Sequence, residues 1–166
     1  LILASGMIES GQIKRAMIVA GENGKPLVDR TLKILNHSNF SRKEIKPFFA
    51  NLTIGAGAVA WTIARSDLVS GHAPKISSFA CETDTSHNHL CEGDSEGDEL
   101  VMQTNSEELL HAGISVASRA WDKFKKVTNW NPGTPELIVT HQVGKAHTQA
   151  VFDSLSLDIK KNFSSF

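Results

Sequence analysis

The sequence predicts an α/β fold, and three observations carry the prediction. Short apolar runs without polar alternation, Ala16-Met17-Ile18-Val19-Ala20 and Leu137-Ile138-Val139-Thr140, suit strands covered on both faces. Segments with apolar residues at helical spacing flank them, the longest carrying Leu110, Ile114, Ala117, Trp121 and Phe124. Turn chemistry rich in Gly, Pro and Asn separates one from the next.

In order, Leu1 to Ser10 places Leu1, Ala4 and Ile8 on one helical face, and Gly11 stands where a helix C-cap uses positive φ. The strand Ala16–Ala20 follows. Gly21-Glu22-Asn23-Gly24-Lys25-Pro26 is a turn, after which Val28, Leu32 and Leu35 predict a helix and Ser41-Arg42-Lys43-Glu44 a capping box for a second short one. Residues Phe48 to Ala64 are apolar on either side of Gly55-Ala56-Gly57, which reads as a turn entering a buried strand, the glycines permitting a close backbone approach or a bend. Ser70-Gly71-His72-Ala73-Pro74 marks a boundary. Beyond it, Lys75 to Cys81 alternates as a strand, Glu82 to Asp98 is acidic and irregular, and Glu99 to Gln103 is a second short strand. Asn105-Ser106-Glu107-Glu108 caps the long helix. Asn131-Pro132-Gly133-Thr134-Pro135 ends it, a buried strand spans Leu137 to Thr140, and Val143 to Leu155 returns to helix.

The chain has 166 residues, 17 Lys+Arg against 18 Asp+Glu and 40% hydrophobic residues. A net charge of −1 without a basic tail argues against a nucleic-acid or anionic-membrane partner held by bulk electrostatics. No apolar run approaches the roughly 20 residues of a membrane span. Two cysteines, Cys81 and Cys91, are too few to staple a secreted mini-fold, so a reducing, cytoplasmic setting is expected. The chain opens inside an apolar stretch, Leu1-Ile2-Leu3-Ala4, with neither an initiator Met nor a signal-peptide pattern, and a piece of a longer protein is expected.

His141 stands between a strand and a helix, in Thr140-His141-Gln142-Val143-Gly144. Carboxyl ends of strands in open α/β sheets gather ligands, and a neutral imidazole there can donate to a developing oxyanion; the same position also suits a polar residue at a helix start. Cys81, His87, His89 and Cys91 offer four metal-ligand types on one loop, but without the paired spacings of a zinc site, so no metal is expected. Cys91 is followed by Glu92, Asp94, Glu96 and Asp98, which oppose thiolate formation, and an inert thiol is expected. Gly55-Ala56-Gly57 lacks the third glycine of a dinucleotide fingerprint and the Lys of a phosphate loop. Trp61, Trp121 and Trp130 read as packing residues.

Four segments in order share a pattern. They are Glu9 to Glu22, Gly55-Ala56-Gly57-Ala58-Val59, Glu96-Gly97-Asp98-Glu99 and His141-Gln142. Together they resemble the condensing enzymes of the thiolase superfamily, specifically the 3-oxoacyl-(acyl carrier protein) synthase III group. Leu52-Thr53-Ile54-Gly55-Ala56-Gly57 and His141 to Thr148 are especially similar to the branch that joins two acyl chains head to head, the OleA-like enzymes. The resemblance implies a thiolase-like αβαβα layered fold, here an incomplete portion spanning the two halves. Residues 1–70 would form the later part of the first half and 71–166 the first part of the second.

By the same resemblance the activity is an acyltransferase's. A Cys takes an acyl group from a thioester, and a second acyl unit, decarboxylated or deprotonated, attacks it in a Claisen condensation to a 3-oxoacyl product of fatty acid or lipid biosynthesis. His141 matches the histidine of the oxyanion hole; the nucleophilic Cys is expected before Leu1 and the oxyanion Asn beyond Phe166, so the piece alone is expected to be inactive. Gly97 would let the pantetheine arm pass close to backbone. Gly144 stands where many of these enzymes have Asn beside that arm, and Ala146 where they carry a basic residue for carrier docking, which argues against strict malonyl-carrier use. The implied substrates and partners are acyl-CoA, acyl carrier protein and a second copy in a homodimer, without nucleic acid, membrane insertion or a separate cofactor. The other class of function that fits is a non-catalytic thiolase-like module for acyl binding or dimerisation.

Overall fold

Capping residues and apolar stripes place the helices where the sequence expects them, while the strands depart from it. A computed structural model describes residues 1–96 and 99–163. Gly97 therefore lies outside the described residues. The chain forms two compact units, one of Leu1–Ser77 with Gly93–Gln103 and one of Ser78–Glu92 with Thr104–Phe166.

In the first unit, α1 (Ile2–Glu9) buries Ser5 and Ile8. It ends as expected on Gly11, whose φ of 75° turns the chain so that the Gln12 amide donates back to the Met7 carbonyl at 3.0 Å, beside the bond from the Gly11 amide to the Ile8 carbonyl at 3.1 Å. Strand β1 (Arg15–Asn23) pairs antiparallel with β2 (Ala56–Ala64) in nine consecutive pairs from Arg15↔Ala64 to Asn23↔Ala56. β1 thus runs three residues into the segment predicted as a turn. Both strands were expected to be covered on both faces; instead Met17 is 70% and Val19 68% exposed, with Val59 and Trp61 half exposed. An unalternating apolar strand reports that something must cover it, not that the same stretch of chain supplies the cover.

Helix α2 (Lys25–His37) starts at Gly24 with Pro26 in its first turn. Its buried positions are Leu27 and Thr31, one step around the helix from the predicted Val28-Leu32-Leu35 face, and Leu32 is exposed. Helix α3 (Arg42–Ile45) carries the predicted capping box between Ser41 and Glu44; the Ser41 amide donates to the Glu44 carboxylate at 2.8 Å. These hydrogen bonds hold the Glu44 carboxyl below the usual range, the Ser41 side-chain bond foremost. A 3₁₀ turn (Ala50–Thr53) then leads to β2.

Strands β3 (Cys91–Glu96) and β4 (Glu99–Thr104) form a two-stranded sheet. β4 was predicted; β3 falls in the stretch expected to be irregular, and the strand predicted over Lys75–Cys81 is absent from the structure. Acidic residues and a glycine mask β3 in the sequence, since strand propensity yields to cross-strand pairing.

In the second unit, α4 (Ser106–Thr128) is the long predicted helix, with the Asn105 side chain accepting from the Glu108 amide at 3.3 Å and Asn129 closing it in the left-handed region at φ 57°. Trp121 stacks on Phe124 at 5.8 Å, and Trp130 meets Phe124 edge-on at 5.3 Å, so these two indoles pack as predicted. The predicted buried strand Leu137–Thr140 is reduced to one parallel bridge, Ile138↔Asn162, and Leu137 and Val139 are more than 60% exposed. Helix α5 (Lys145–Ser154) closes the order, with Phe152 fully buried. Among the described residues no helix is long and apolar enough to cross a membrane.

Candidate functional site

His141 lies where the sequence predicts it, on an exposed loop between the extended segment ending at Thr140 and the start of α5. The segment is fixed from behind by the bridge to Asn162: the Ile138 amide donates to the Lys161 carbonyl at 2.8 Å and the Phe163 amide to the Ile138 carbonyl at 2.7 Å. The first amides of a helix have no partner within it, so the start of α5 presents N–H groups and partial positive charge on the side of the helix that the His141 loop enters.

Gly144 shapes that entry. It is the N-cap of α5 with φ 157° and ψ 160°, a combination that residues with a Cβ rarely adopt. No side chain caps the helix there. Gly144 therefore has a backbone reason to be glycine, which its residue type alone could not reveal.

Behind the loop, a cavity of about 470 Å³ opens in the second unit, walled by Trp121, Phe124 and Trp130 on one side and Leu137, Val139 and Thr140 on the other. Two of its polar groups, the Trp121 indole nitrogen and the Thr140 hydroxyl, are buried without a hydrogen-bond partner. His147, in the first turn of α5, likewise buries Nε2 without one. His147 carries no signal of its own in the sequence beyond being a second imidazole six residues after His141, in the first turn of the helix that follows the His141 loop.

Cys81 and Cys91 are free and exposed. The Cys91 Sγ lies 3.6 Å from the Thr104 hydroxyl, and the Cys81 carbonyl accepts from the Lys123 ammonium at 3.5 Å. His87 and His89 sit with ring centres 6.4 Å apart. Among the described residues no group of three or more His, Cys, Asp or Glu is placed to hold a metal ion. The acidic side of this loop is tied to α4 instead: Arg119 reaches Glu82 at 3.3 Å and Asp84 at 3.0 Å, and Lys123 pairs with Glu82. Lys123 lowers the Glu82 pKa most, and hydrogen bonds from Ser86 do so for Asp84.

The turn before β2 settles the role of the glycines there. The close backbone approach is made by Gly24, whose amide donates to the Gly55 carbonyl at 3.1 Å, and a Cβ on Gly24 would stand 2.5 Å from that oxygen. Gly55 and Gly57 themselves face open space.

No protein-family model matches the chain. It is 32% identical over 99% of its length to the acyl-CoA:acyl-CoA alkyltransferase of Xanthomonas campestris pv. campestris, and 27% identical over 96% to that of Shewanella oneidensis. The chain spans about half the length of these curated relatives, 47% of each. Among solved structures it is similar to a cysteine-to-serine variant of Xanthomonas campestris OleA with bound lauric acid and lauroyl-CoA, at 31% identity, TM-score 0.86 and 98% of this chain against 47% of that one. It is also similar to the 3-oxoacyl-(acyl carrier protein) synthase III, FabH, of Xanthomonas oryzae pv. oryzae, at 30% identity, TM-score 0.85 and 99% against 47%.

Proposed function

We propose that this chain, which carries part of the thiolase fold and is similar to the acyl-CoA:acyl-CoA alkyltransferases, belongs to a protein that joins two acyl thioesters by Claisen condensation. The observation that supports this reading is the place of His141, exposed on the loop that runs from Thr140 to the uncapped start of α5. Exposure gives the imidazole access to a substrate, and the helix start adds a favourable field for negative charge.

In the proposed reaction a thiol of the enzyme attacks the first thioester and expels the carrier thiol. The second thioester loses CO₂ from a 2-carboxylate where it carries one, or otherwise gives its α-proton to a basic group of the whole enzyme, and the resulting enolate oxygen accepts a hydrogen bond from His141. The enolate carbon then attacks the enzyme-bound acyl carbonyl, a C–C bond forms, and the enzyme thiol leaves with its electron pair. Neither Cys81 nor Cys91 matches the nucleophile's motif. The thioester supplies its own leaving group, so no separate cofactor enters the scheme. The proposal includes coenzyme A or acyl carrier protein as the thiol carrier, Gly97 and Gly144 along the carrier arm, and a homodimeric enzyme in a reducing compartment.

The test is incubation of the full-length protein with acyl-CoA alone and with malonyl-carrier protein, followed by mass spectrometry of products and of the enzyme. His141→Ala should still show the acyl adduct on the enzyme while condensation falls about 10²- to 10³-fold, the usual effect of removing one oxyanion donor. Unchanged condensation in that variant refutes the role of His141. A wild-type protein that binds acyl-CoA but forms neither adduct nor product refutes the reaction and leaves an acyl-binding module.

A further inference from the structure

From Arg42 to Thr53 the chain follows one right-handed path, made of α3, a 3₁₀ turn (Lys46–Phe48) and the 3₁₀ turn before β2. The Phe49 amide donates to the Lys46 carbonyl and the Leu52 amide to the Phe49 carbonyl, both at 3.2 Å. These are three-residue steps, and along a 3₁₀ path side chains three apart stand one above the other. Burial follows that period. Ile45 is half-buried, and Phe48 and Asn51 are buried. Phe48 stacks on Phe40 at 5.9 Å, and the Asn51 amide donates to the Thr31 hydroxyl of α2 at 3.0 Å and to the Met102 carbonyl of β4 at 2.8 Å. The inner row is thus held at two points.

The outer row is Lys43, Lys46, Phe49 and Leu52, all exposed, with Phe49 at 52% and Leu52 at 40%. Neither ammonium has an ion pair among the described residues. The carboxylate in the same turn, Glu44, is folded back on the Ser41 amide and hydroxyl, and Arg42 adds a further exposed cation. Cationic and apolar groups therefore share one ridge, and no rotation of the segment hides the apolar pair without breaking the inner contacts.

The complement of such a ridge is anionic and apolar at once. A stable protein partner needs about 20–30 residues on each side, far more than one row. A lipid surface needs no matched shape: its phosphates meet the ammoniums, and the boundary beneath them accepts Phe49 and Leu52. We propose that the outer row of residues 43–52 is a peripheral docking site for an anionic phospholipid surface. The net charge of −1 gives no bulk attraction, but salt confines the effective field to about 8 Å, and there Arg42, Lys43 and Lys46 outnumber Glu44. The proposal does not rest on the condensation reading.

The experiment is sedimentation of the full-length protein with vesicles of phosphatidylcholine, alone or with about one quarter phosphatidylglycerol, at low and high salt. Wild type should bind the anionic vesicles at least about tenfold more tightly than the neutral ones, and lose most of that binding at high salt. Each cation near such a surface contributes about a fivefold factor, so Lys43→Gln combined with Lys46→Gln should weaken binding about 25-fold. Phe49→Ser should weaken it about tenfold. Lys75→Gln combined with Lys126→Gln makes the same change in net charge at exposed lysines elsewhere and should stay within about twofold of wild type. All the replaced side chains are exposed, and thermal melting by circular dichroism verifies that each variant is folded.

Failure of wild type to bind anionic vesicles overturns the proposal, as does equal binding to neutral ones. An equal loss in the Lys75 and Lys126 control, or Phe49→Ser at wild-type affinity, overturns it too. Sedimentation velocity tests the other occupants. A dimer, or a complex with acyl carrier protein, that the row variants dissociate while vesicles go unbound assigns the row to a protein partner and overturns lipid docking.

Discussion

A single methyl group at Gly24 should be among the most damaging small changes in the first unit. Gly→Ala at an ordinary site stabilises by about 0.4–1 kcal/mol because the unfolded chain loses freedom. Gly24 has φ −74° and ψ −13°, values alanine adopts readily, so backbone strain gives no reason for loss. Space does. A Cβ would stand 2.5 Å from the Gly55 carbonyl oxygen, 2.6 Å from Ile54 Cγ2 and 3.1 Å from the Ile54 carbonyl oxygen. Regaining an ordinary contact requires a shift of about 0.9 Å, and overpacking of this kind costs about 1–3 kcal/mol. The shift pulls the Gly55 carbonyl from the Gly24 amide, now at 3.1 Å, at a further cost of about 0.5–1.5 kcal/mol. Subtracting the entropic gain leaves a net loss of about 0.5–4 kcal/mol. Urea denaturation of the full-length protein, followed by circular dichroism, measures it, with Gly57→Ala as the control because nothing stands within 4 Å of that Cβ. Gly24→Ala as stable as wild type, or no less stable than Gly57→Ala, would refute the steric reasoning.

Three further outcomes are expected. Gly144→Ala should destabilise by about 1–3 kcal/mol despite the open space around it, because φ 157° with ψ 160° is strained for alanine; a melting temperature equal to wild type would contradict this. Asn105→Ala should cost about 1 kcal/mol through loss of the α4 cap, whereas Asn105→Asp or Asn105→Ser should restore most of it. The Glu82 and Asp84 carboxyls are held below their usual values of 4.5 and 3.8, so the stability they contribute is complete above those values and is lost as pH falls through the lower folded ones. Proteolysis of the loop around residues 82–84 should therefore quicken on acidification below about pH 4.5, less steeply in high salt, and Lys123→Ala should flatten the dependence.

The helix boundaries were legible because each depends on residues close in sequence. Gly11, Ser41 with Glu44, and Asn105 satisfy amides or carbonyls within a few positions, so the pattern and the physics occupy the same window. Strands lack that locality. Leu137–Thr140 has the composition of a buried strand, yet a strand exists only against a neighbour, and the described neighbour is a single bridge at Asn162. Cys91–Glu96 shows the converse, an acidic stretch made into a strand by its partner β4.

The face of α2 went astray for a related reason. Apolar spacing favoured Val28, Leu32 and Leu35, but Leu27 and Thr31 are the residues buried, and Thr31 is tolerated there because Asn51 satisfies its hydroxyl from 20 positions away. A hydrophobicity pattern counts Thr31 and Asn51 as surface residues one at a time; as a hydrogen-bonded pair they are core. His141 and Asn51 divide along the same line. The position of His141 was legible because its address, the end of an extended segment before a helix, is written locally. The bond from the Asn51 amide to the Met102 carbonyl was not, because it reaches a carbonyl 51 residues away and exists only in the folded chain.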